Sequence, residues 1–295
     1  MGWNKGLALA AALTLVAGAK AEALTIYAVT GSNALISFDS ATPGTIASNV
    51  AITGLTGQNE SIIGIDFRPA TGQLYGLGDG SRLYLIDPTT GAATQVGSSG
   101  QFTLSGASFG FDFNPVPDRI RVTSDANQNL RLNPNDGTLA SADGNLAFNA
   151  GDPNQGADPN IAGSAYTNSF NPAPASTTLY GIDFGLDLLV TQNPPNNGTL
   201  NTVGALGVNT SSAVGFDIFS NDLSVNLAFA SLTGVTSNIS SLYSINLSTG
   251  AASLIDEIGN DLLIRDIAIA PIPEPASAAL LLTGLAALWA RRRKS

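Results

Sequence analysis

The chain contains neither cysteine nor histidine. These two absences exclude disulfide bonds, cysteine nucleophiles, histidine-based catalytic triads and zinc sites of ordinary composition. The Walker and Rossmann glycine patterns are missing as well, so no nucleotide-binding motif is present. Any catalysis by this protein must therefore rest on carboxylates.

Positive charge is scarce between residues 24 and 270. This body has no lysine, and its six arginines stand against 20 acidic residues, which gives a formal charge of −14. A body this acidic repels nucleic acid and anionic lipid, so we expect no nucleic-acid partner. Its 247 residues are enough for one β domain with a sizeable core.

Residues 1–21 have the layout of a secretory signal peptide. Lys5 precedes an apolar run that ends at the small-x-small cleavage site Ala19-Lys20-Ala21. We predict cleavage before Glu22, with Leu24 as the second choice, and we exclude the signal from fold reasoning. The mature protein is therefore expected outside the cytoplasm.

Residues 271–295 combine a short polar motif, an apolar run and a basic cluster. The motif is Pro273-Glu274-Pro275, the run covers residues 276–290, and the cluster is Arg291, Arg292, Arg293 and Lys294. As a helix the run spans roughly 22 Å, which is short for a hydrocarbon core of about 30 Å but is tolerated when arginines reach the interface. We predict a single transmembrane helix with a cytoplasmic basic stop. A plain C-terminal anchor is one interpretation.

The same layout resembles the PEP-CTERM sorting signal of Gram-negative bacteria, with the motif intact at Pro273, Glu274 and Pro275. The resemblance covers only the tail. It implies that an exosortase in the inner membrane recognises the motif and processes the tail, so that the membrane is a transient stage. It also implies delivery to the cell surface or the extracellular space, with exopolysaccharide matrix as the partner.

A four-stranded pattern repeats through residues 24–270. Its clearest element alternates apolar and polar residues and then turns, at residues 82–91, 129–137 and 241–250. The proline, Asp or Asn, and glycine in these turns are typical of hairpins. Two further strands precede the strand that enters each hairpin turn, and one strand follows the turn. The four-stranded unit recurs at a spacing of about 46 to 53 residues. Units of this size predict the blades of a β-propeller.

We count five such units and predict an all-β, propeller-like ring of about five four-stranded blades. The first unit, residues 24–55, lacks its opening strand, and the body ends on a surplus opening strand at residues 263–270. The missing and surplus pieces match, as closure of a ring by its N- and C-terminal strands requires. A β-sandwich with Greek-key strands is the alternative, but it does not explain this match.

Three short stretches of the body carry a second resemblance. They are Gly-Ile-Asp-Phe-Arg-Pro at residues 64–69, Leu-Tyr-Gly-Leu at residues 74–77 and Gly-Phe-Asp-Phe-Asn-Pro at residues 110–115. With these stretches the body resembles an uncharacterised family, domain of unknown function 4394, over most of the mature domain. The resemblance implies no known activity.

Four aspartates recur near the start of the opening strand of their repeat: Asp66, Asp112, Asp217 and Asp266. We predict that all four occupy the same place in the repeat and converge near the central channel, because opening strands are innermost in a propeller. In the structural interpretation each carboxylate accepts backbone hydrogen bonds and holds neighbouring blades together. In the functional interpretation the carboxylates form a ring for a cation, or supply a pair of glycosidase acids about 5 to 9 Å apart.

A second candidate is the stretch at residues 143–160, which is rich in Asp, Asn and Gly. Asp143, Asp152 and Asp158 supply hard oxygen ligands there. Calcium takes about six to eight such oxygens, so we name these residues as a candidate Ca²⁺ site, although the stretch matches no EF-hand pattern. An ordinary solvated loop is the alternative.

Three arginines lie close together on two adjacent predicted strands. Arg119 and Arg121 share a face by the two-residue period of a strand, and Arg131 follows on the next strand. We predict that they pair with acids nearby. A site for acidic sugars is the alternative.

The two ends of the chain and the predicted ring lead to one functional expectation. We expect an exported, surface-sorted protein that binds or builds extracellular material, without enzymatic activity and with extracellular polysaccharide as its partner. The alternative is a carboxylate-dependent glycan hydrolase or lyase on the propeller scaffold. Unpaired aspartates that converge in a channel favour the enzyme, whereas aspartates satisfied by backbone amides favour the scaffold.

Overall fold

The structure, a computed structural model, describes residues 23–222, 225–259 and 261–272. The predicted signal peptide lies outside these ranges, as do the sorting motif, the apolar run and the basic stop at residues 273–294. Within the described ranges, no helix has the length and apolar character that a membrane crossing requires. The predicted transmembrane helix at residues 276–290 therefore stays a prediction.

The described part of the chain consists of β-strands and one short 3₁₀ helix at Pro195–Asn197. The first strands are β1 (Thr25–Thr30), β2 (Ala34–Asp39), β3 (Ile46–Ala51), β4 (Ile62–Arg68), β5 (Gln73–Gly78), β6 (Arg82–Ile86), β7 (Ala93–Val96), β8 (Phe109–Asn114), β9 (Arg119–Ser124), β10 (Asn129–Leu132) and β11 (Leu139–Ala142). The remaining strands are β12 (Ala147–Phe148), β13 (Ile161–Tyr166), β14 (Leu179–Asp183), β15 (Leu188–Gln192), β16 (Thr199–Ala205), β17 (Val214–Asp222), β18 (Val225–Thr233), β19 (Ser240–Ile245), β20 (Ala252–Glu257) and β21 (Ile264–Ile269).

The strands form five antiparallel blades around a common axis. Blade 1 is β21-β1-β2-β3, blade 2 is β4 to β7, blade 3 is β8 to β11, blade 4 is β13 to β16, and blade 5 is β17 to β20. The first strand named in each blade is innermost and contacts the innermost strands of both neighbouring blades. The prediction of an all-β fold with five four-stranded blades is confirmed. Blade 4 gains one short strand, β12, which pairs in parallel with β16.

The two ends of the body close the ring. Strand β21 pairs antiparallel with β1, with Ile26 opposite Ile269 and Val29 opposite Asp266. The last strand of the body is therefore the innermost strand of the first blade, as the missing and surplus pieces of the repeat predicted. This pairing covers the inner edge of β1, which would otherwise be open to another strand.

The predicted hairpin turns are present between the third and fourth strands of blades 2, 3 and 5. Gly91, Gly137 and Gly250 have φ values of +74°, +70° and +82°, which side chains other than glycine rarely adopt. In the first of these turns the Asp87 carboxylate accepts the backbone N–H of Thr89, and an asparagine plays the same part in the other two. The turn chemistry predicted from the repeat is therefore confirmed.

The core is divided among the interfaces between adjacent blades, which we call seams. Four seams are filled by an apolar cluster with members from both blades: 1–2, 2–3, 4–5 and 5–1. At seam 2–3, the rings of Tyr75 and Phe113 meet edge to face with centroids 5.2 Å apart. Burial falls outward, since β13 is buried at every position whereas β3 alternates between half-buried and exposed residues. Each blade is thus stabilised mainly by its two neighbours.

The stretch at residues 143–160 connects blade 3 to blade 4 and is more than a solvated loop. It contains β12, and the side chains of Leu146 and Phe148 are buried against Ile161, Val190 and Leu200 of blade 4. The stretch therefore anchors the connection on the outer part of blade 4.

Candidate functional site

Three of the four predicted aspartates meet at the axis. Asp66, Asp112 and Asp217 project from the innermost strands β4, β8 and β17, and they are only 4%, 2% and 6% exposed. One carboxylate oxygen from each lies within 4.8 Å of the others. We call these three side chains the axial carboxylates. The predicted convergence near the channel is thus observed, whereas the predicted binding of a cation stays a prediction.

Each axial carboxylate reaches across a seam to the next blade. Asp66 Oδ2 accepts the backbone N–H of Phe113 at 2.7 Å, and Asp112 Oδ1 accepts that of Tyr166 at 3.1 Å. Asp217 Oδ2 accepts the N–H of Ile269 at 2.6 Å. These bonds link blade 2 to 3, blade 3 to 4 and blade 5 to 1. Buried carboxylates therefore satisfy backbone amides that the neighbouring strands leave unpaired.

Asp266 makes the same kind of bond from a different place. Its Oδ2 accepts the N–H of Ile65 at 2.8 Å and so links blade 1 to blade 2. In the other blades the residue whose backbone N–H donates the bond directly follows the repeated position, as Phe113 follows Asp112. By this rule Ala268 occupies the repeated position of β21, because Asp217 binds the N–H of Ile269. The prediction that all four aspartates are equivalent is wrong: Asp266 lies two residues earlier, on the same face of its strand.

The weak copy of the repeat in blade 4 has no aspartate. Ala165 stands at the repeated position, directly before Tyr166. Seam 4–5 therefore lacks the carboxylate bridge that the other four seams have, but its inner strands approach closely through a glycine, as they do at seams 2–3, 3–4 and 5–1. A Cβ added at Gly163 would lie 2.8 Å from Cβ of Phe216.

Burial makes it costly to charge the axial carboxylates. It raises the pKa of Asp66 and of Asp112 well above the usual range, and repulsion from the neighbouring carboxylates raises both further. Burial raises the pKa of Asp217 to about 6, although the backbone N–H groups that it accepts lower it. Burial also raises the pKa of Asp266 well above its usual range. The cluster therefore holds protons at pH values where exposed aspartates are fully ionised.

The axial carboxylates offer only oxygen ligands, which suit Ca²⁺ or Mg²⁺. Among the described residues they are the single group of acidic side chains close enough together to hold a metal ion. However, Asp66 and Asp217 each accept backbone N–H groups at both oxygens, from their own strand and from the next blade. The arrangement serves blade-to-blade bonding, and it supplies no free carboxylate for proton transfer at these two residues.

A cavity of about 440 Å³ lies at the C-terminal ends of the innermost strands. Asp66 and Asp217 form part of its wall, together with Phe67, Phe170 and Phe219. The size lies within the range of small-molecule pockets. The cavity is the place where the axial carboxylates come closest to a ligand-sized space.

A second polar cluster fills seam 3–4. Arg121 is 1% exposed, and its guanidinium donates to Asp143, Asn129, Asn196 and the Tyr166 hydroxyl. The predicted pairing of Arg121 and Arg131 with a nearby acid is observed, since both bind Asp143. Arg119 differs, because the bonds described for it go to the backbone carbonyls of residues 117 and 118.

Four partners in this cluster were not predicted from the sequence: Asn129, Tyr166, Gln192 and Asn196. Tyr166 and Asn196 come from blade 4, 45 and 75 residues away from Arg121 in sequence. Gln192 donates to both Asn129 and the carbonyl of Pro195. No local pattern marks these residues, because they meet only when two blades pack.

Asp143, Asp152 and Asp158 are not brought together by the fold. Asp143 binds two arginines, and the bonds to Arg131 help to hold the pKa of its carboxyl below the usual value. Asp152 accepts the backbone N–H and hydroxyl of Thr202, and Asp158 accepts the side-chain amide of Asn127. Each residue has a protein partner of its own, and the three form no common ligand group among the described residues.

Similar solved structures are remote. The crystal structure of a nidogen–laminin complex contains a chain that is 12% identical, with a TM-score of 0.46, over 84% of this chain and 98% of that one. A protein from Lactobacillus plantarum is 14% identical, with a TM-score of 0.41, over 83% and 71% of the two chains. Hydrazine synthase from Kuenenia stuttgartiensis is 14% identical, with a TM-score of 0.40, over 73% and 53%. No inference is drawn from TM-scores this low.

Family membership rests on the sequence. No curated protein matches the chain. The family described as domain of unknown function (DUF4394) matches residues 34–268, from the second strand of blade 1 to the closing strand β21. This range includes all three stretches that carry the resemblance of the body. The chain therefore belongs to the DUF4394 family.

Proposed function

We propose that this protein is an exported, surface-sorted binding or structural protein, associated with extracellular polysaccharide or biofilm matrix, and that it is not an enzyme. The observation that carries the non-enzymatic part is the bonding of the axis. Asp66, Asp112, Asp217 and Asp266 each accept a backbone N–H from the next blade. Carboxylates used in this way hold a ring together and are poorly placed to exchange protons with a substrate.

One observation favours the alternative of a carboxylate-dependent glycan hydrolase or lyase. Asp66 and Asp217 combine raised pKa values with a place in the wall of a ligand-sized cavity. Glycosidases keep their two carboxyl groups about 5 to 9 Å apart around the scissile bond and free to reach it. Here Asp66 and Asp217 each accept backbone N–H groups at both oxygens and are held by them, so we place the enzyme second.

The export route is part of the proposal and is supported by the two ends of the sequence. Residues 1–21 act as the signal peptide, and an exosortase-type enzyme recognises Pro273-Glu274-Pro275 while residues 276–290 hold the protein in the inner membrane. Arg291, Arg292, Arg293 and Lys294 keep the end of the tail on the cytoplasmic side. Processing then delivers the body to the cell surface or the extracellular space of a Gram-negative bacterium.

The proposal is tested by fractionating cells that produce the wild-type chain or a variant with alanine at residues 273–275. We expect wild-type protein in the surface polysaccharide fraction, shortened at both ends by mass spectrometry. The variant should remain unprocessed in the inner membrane. The apolar run still anchors it, but the processing enzyme cannot recognise the altered motif. Normal processing and release of the variant, or wild-type protein in the cytoplasm, would contradict this proposal.

A further inference from the structure

Seam 3–4 differs in chemistry from the other four seams. Those seams are filled by apolar clusters shared between two blades, whereas the inner part of seam 3–4 is filled by the network around Arg121. Asp112, Arg121 and Arg131 stand opposite one another on β8, β9 and β10, so all three side chains lie on the face that meets blade 4. A fully buried guanidinium is costly to desolvate and is rarely kept for stability alone.

The network carries an excess of positive charge. Arg121 and Arg131 share one acidic partner, Asp143, which lies 2.7 Å from both guanidinium groups. The other acid on this face of blade 3, Asp112, accepts the backbone N–H of Tyr166, and burial and neighbouring carboxylates raise its pKa well above the usual range, which disfavours its charged form. A local surplus of one positive charge is unusual in a body whose formal charge is −14.

A cavity of about 460 Å³ opens beside this network. Its wall contains Arg131 and no acidic residue, whereas the wall of the cavity beside the axial carboxylates contains Asp66 and Asp217. The remaining polar wall comes mainly from blade 4, with Asn193, Asn196, Thr177 and Gln192. The cavity therefore has a cationic side and an amide- and hydroxyl-rich side.

Several donors at the wall remain available for a ligand. Arg131 binds Asp143 through Nε and Nη2, which leaves Nη1 without a partner among the described contacts. Asn196 uses its Oδ1 to accept Arg121, and its side-chain NH₂ has no partner among the same contacts. The guanidinium of Arg131 is already oriented by Asp143, so little rotamer entropy is lost when it binds an anion.

We propose that the cavity at seam 3–4 binds an acidic sugar unit of a polysaccharide, with Arg131 facing the uronate carboxylate and the blade 4 amides facing the ring hydroxyls. The proposal rests on the proposed function, since it names the class of polysaccharide that the surface protein takes. The cationic side selects the carboxylate, and the uncharged donors match a polyhydroxylated ring. The absence of an acid in the wall removes the repulsion that the rest of the body exerts on such a ligand.

The test measures binding of the purified, exported protein to oligogalacturonate and to the same oligosaccharide with its carboxyl groups reduced to alcohols. Wild-type protein should bind the acidic form and bind the reduced form at least about tenfold more weakly, since a hydrogen bond to a charged group is lost. Arg131→Gln should weaken binding of the acidic form by a similar factor. Its fold should persist, because Asp143 keeps Arg121 as a partner.

Arg119→Gln is the matched control, because it removes the same charge from β9 but lies outside the cavity wall. It should change the affinity by less than about twofold, as expected for a screened surface charge. Equal binding of the acidic and reduced forms overturns the inference even if no variant folds. The inference is also overturned if folded Arg131→Gln binds the acidic oligosaccharide with the affinity of the wild type. Protein that binds the host matrix but not oligogalacturonate refutes this site alone, whereas protein that binds oligogalacturonate but not the matrix refutes the proposed function alone.

Discussion

Replacement of Asp217 by asparagine tests the energetic role of the axial carboxylates. The folded pKa of Asp217 is about 6 and the ordinary value is 3.8, so the folded state binds its proton more tightly than the unfolded state. A raised pKa contributes stability that is fully present below pH 3.8 and is lost as pH rises through 6. The difference is worth about 3 kcal/mol, of which roughly half is lost above pH 5.

Between pH 5 and pH 8, the aspartates with raised pKa values dominate the pH dependence of stability. Asp66, Asp112, Asp183 and Asp266 also have raised pKa values from burial and act in the same direction. The aspartates with lowered pKa values oppose them only below the window, where their stabilising charge is lost as pH falls: Asp87, Asp136, Asp143 and Asp152. We therefore expect the free energy of unfolding of the wild type to fall from pH 5 to pH 8, by at least about 1 kcal/mol.

The assay is urea unfolding at several pH values in this window. Asp217→Asn cannot ionise, so its stability should fall less with pH than that of the wild type, by about 1 kcal/mol. It should be less stable at pH 5, because its NH₂ group must face one of the two N–H donors that Asp217 accepts. Asp256→Asn, on the exposed outer strand of blade 5, is the control and should keep the wild-type dependence. A wild-type stability that is constant or rises from pH 5 to pH 8 would refute the reasoning, as would an Asp217→Asn variant with the wild-type dependence.

Three further predictions concern the ring and the connection between blades 3 and 4. Deleting residues 263–270 should lower the melting temperature of the whole body and remove cooperative unfolding, because blade 1 loses its innermost strand; an unchanged melting curve would contradict the closed ring. Gly215→Ala should destabilise by about 1–3 kcal/mol in urea unfolding, because its Cβ would lie 2.6 Å from the backbone nitrogen of Ile267, whereas Gly234→Ala should have little effect. Millimolar calcium and a chelator should give the same melting temperature, because Asp143, Asp152 and Asp158 already have separate protein partners; a rise that Asp152→Ala removes would show a calcium site there.

The blade architecture could be predicted because each blade repeats local chemistry. Turns such as the one from Asp87 to Gly91 can be predicted from their residue types. The strands between the turns can be predicted from the alternation of apolar and polar residues. The closure by β21 followed from counting strands, since one end lacked the strand that the other end had in surplus. The register of that strand could not be predicted, and Asp266 was misaligned with Asp112 because both follow a similar apolar pattern.

The candidate sites could also be predicted only in part. Convergence of Asp66, Asp112 and Asp217 followed from their repeated place on innermost strands. Their bonds to backbone amides of the next blade depend on how two sheets are rotated and spaced, which no local pattern encodes. The network of Arg121 with Asn196 joins residues 75 apart in sequence, so only the packed seam shows it.

We propose that the ring is a binding or structural scaffold whose axial carboxylates do no chemistry on a glycan. The most direct measurement incubates the purified, exported protein with the polysaccharide of its own host. Bound protein and polysaccharide chain length are then determined in the same sample. The account predicts saturable binding with no shortening of the chains and no new reducing or unsaturated ends. Progressive shortening that Asp66→Asn or Asp217→Asn abolishes in folded protein would contradict it and establish the enzyme.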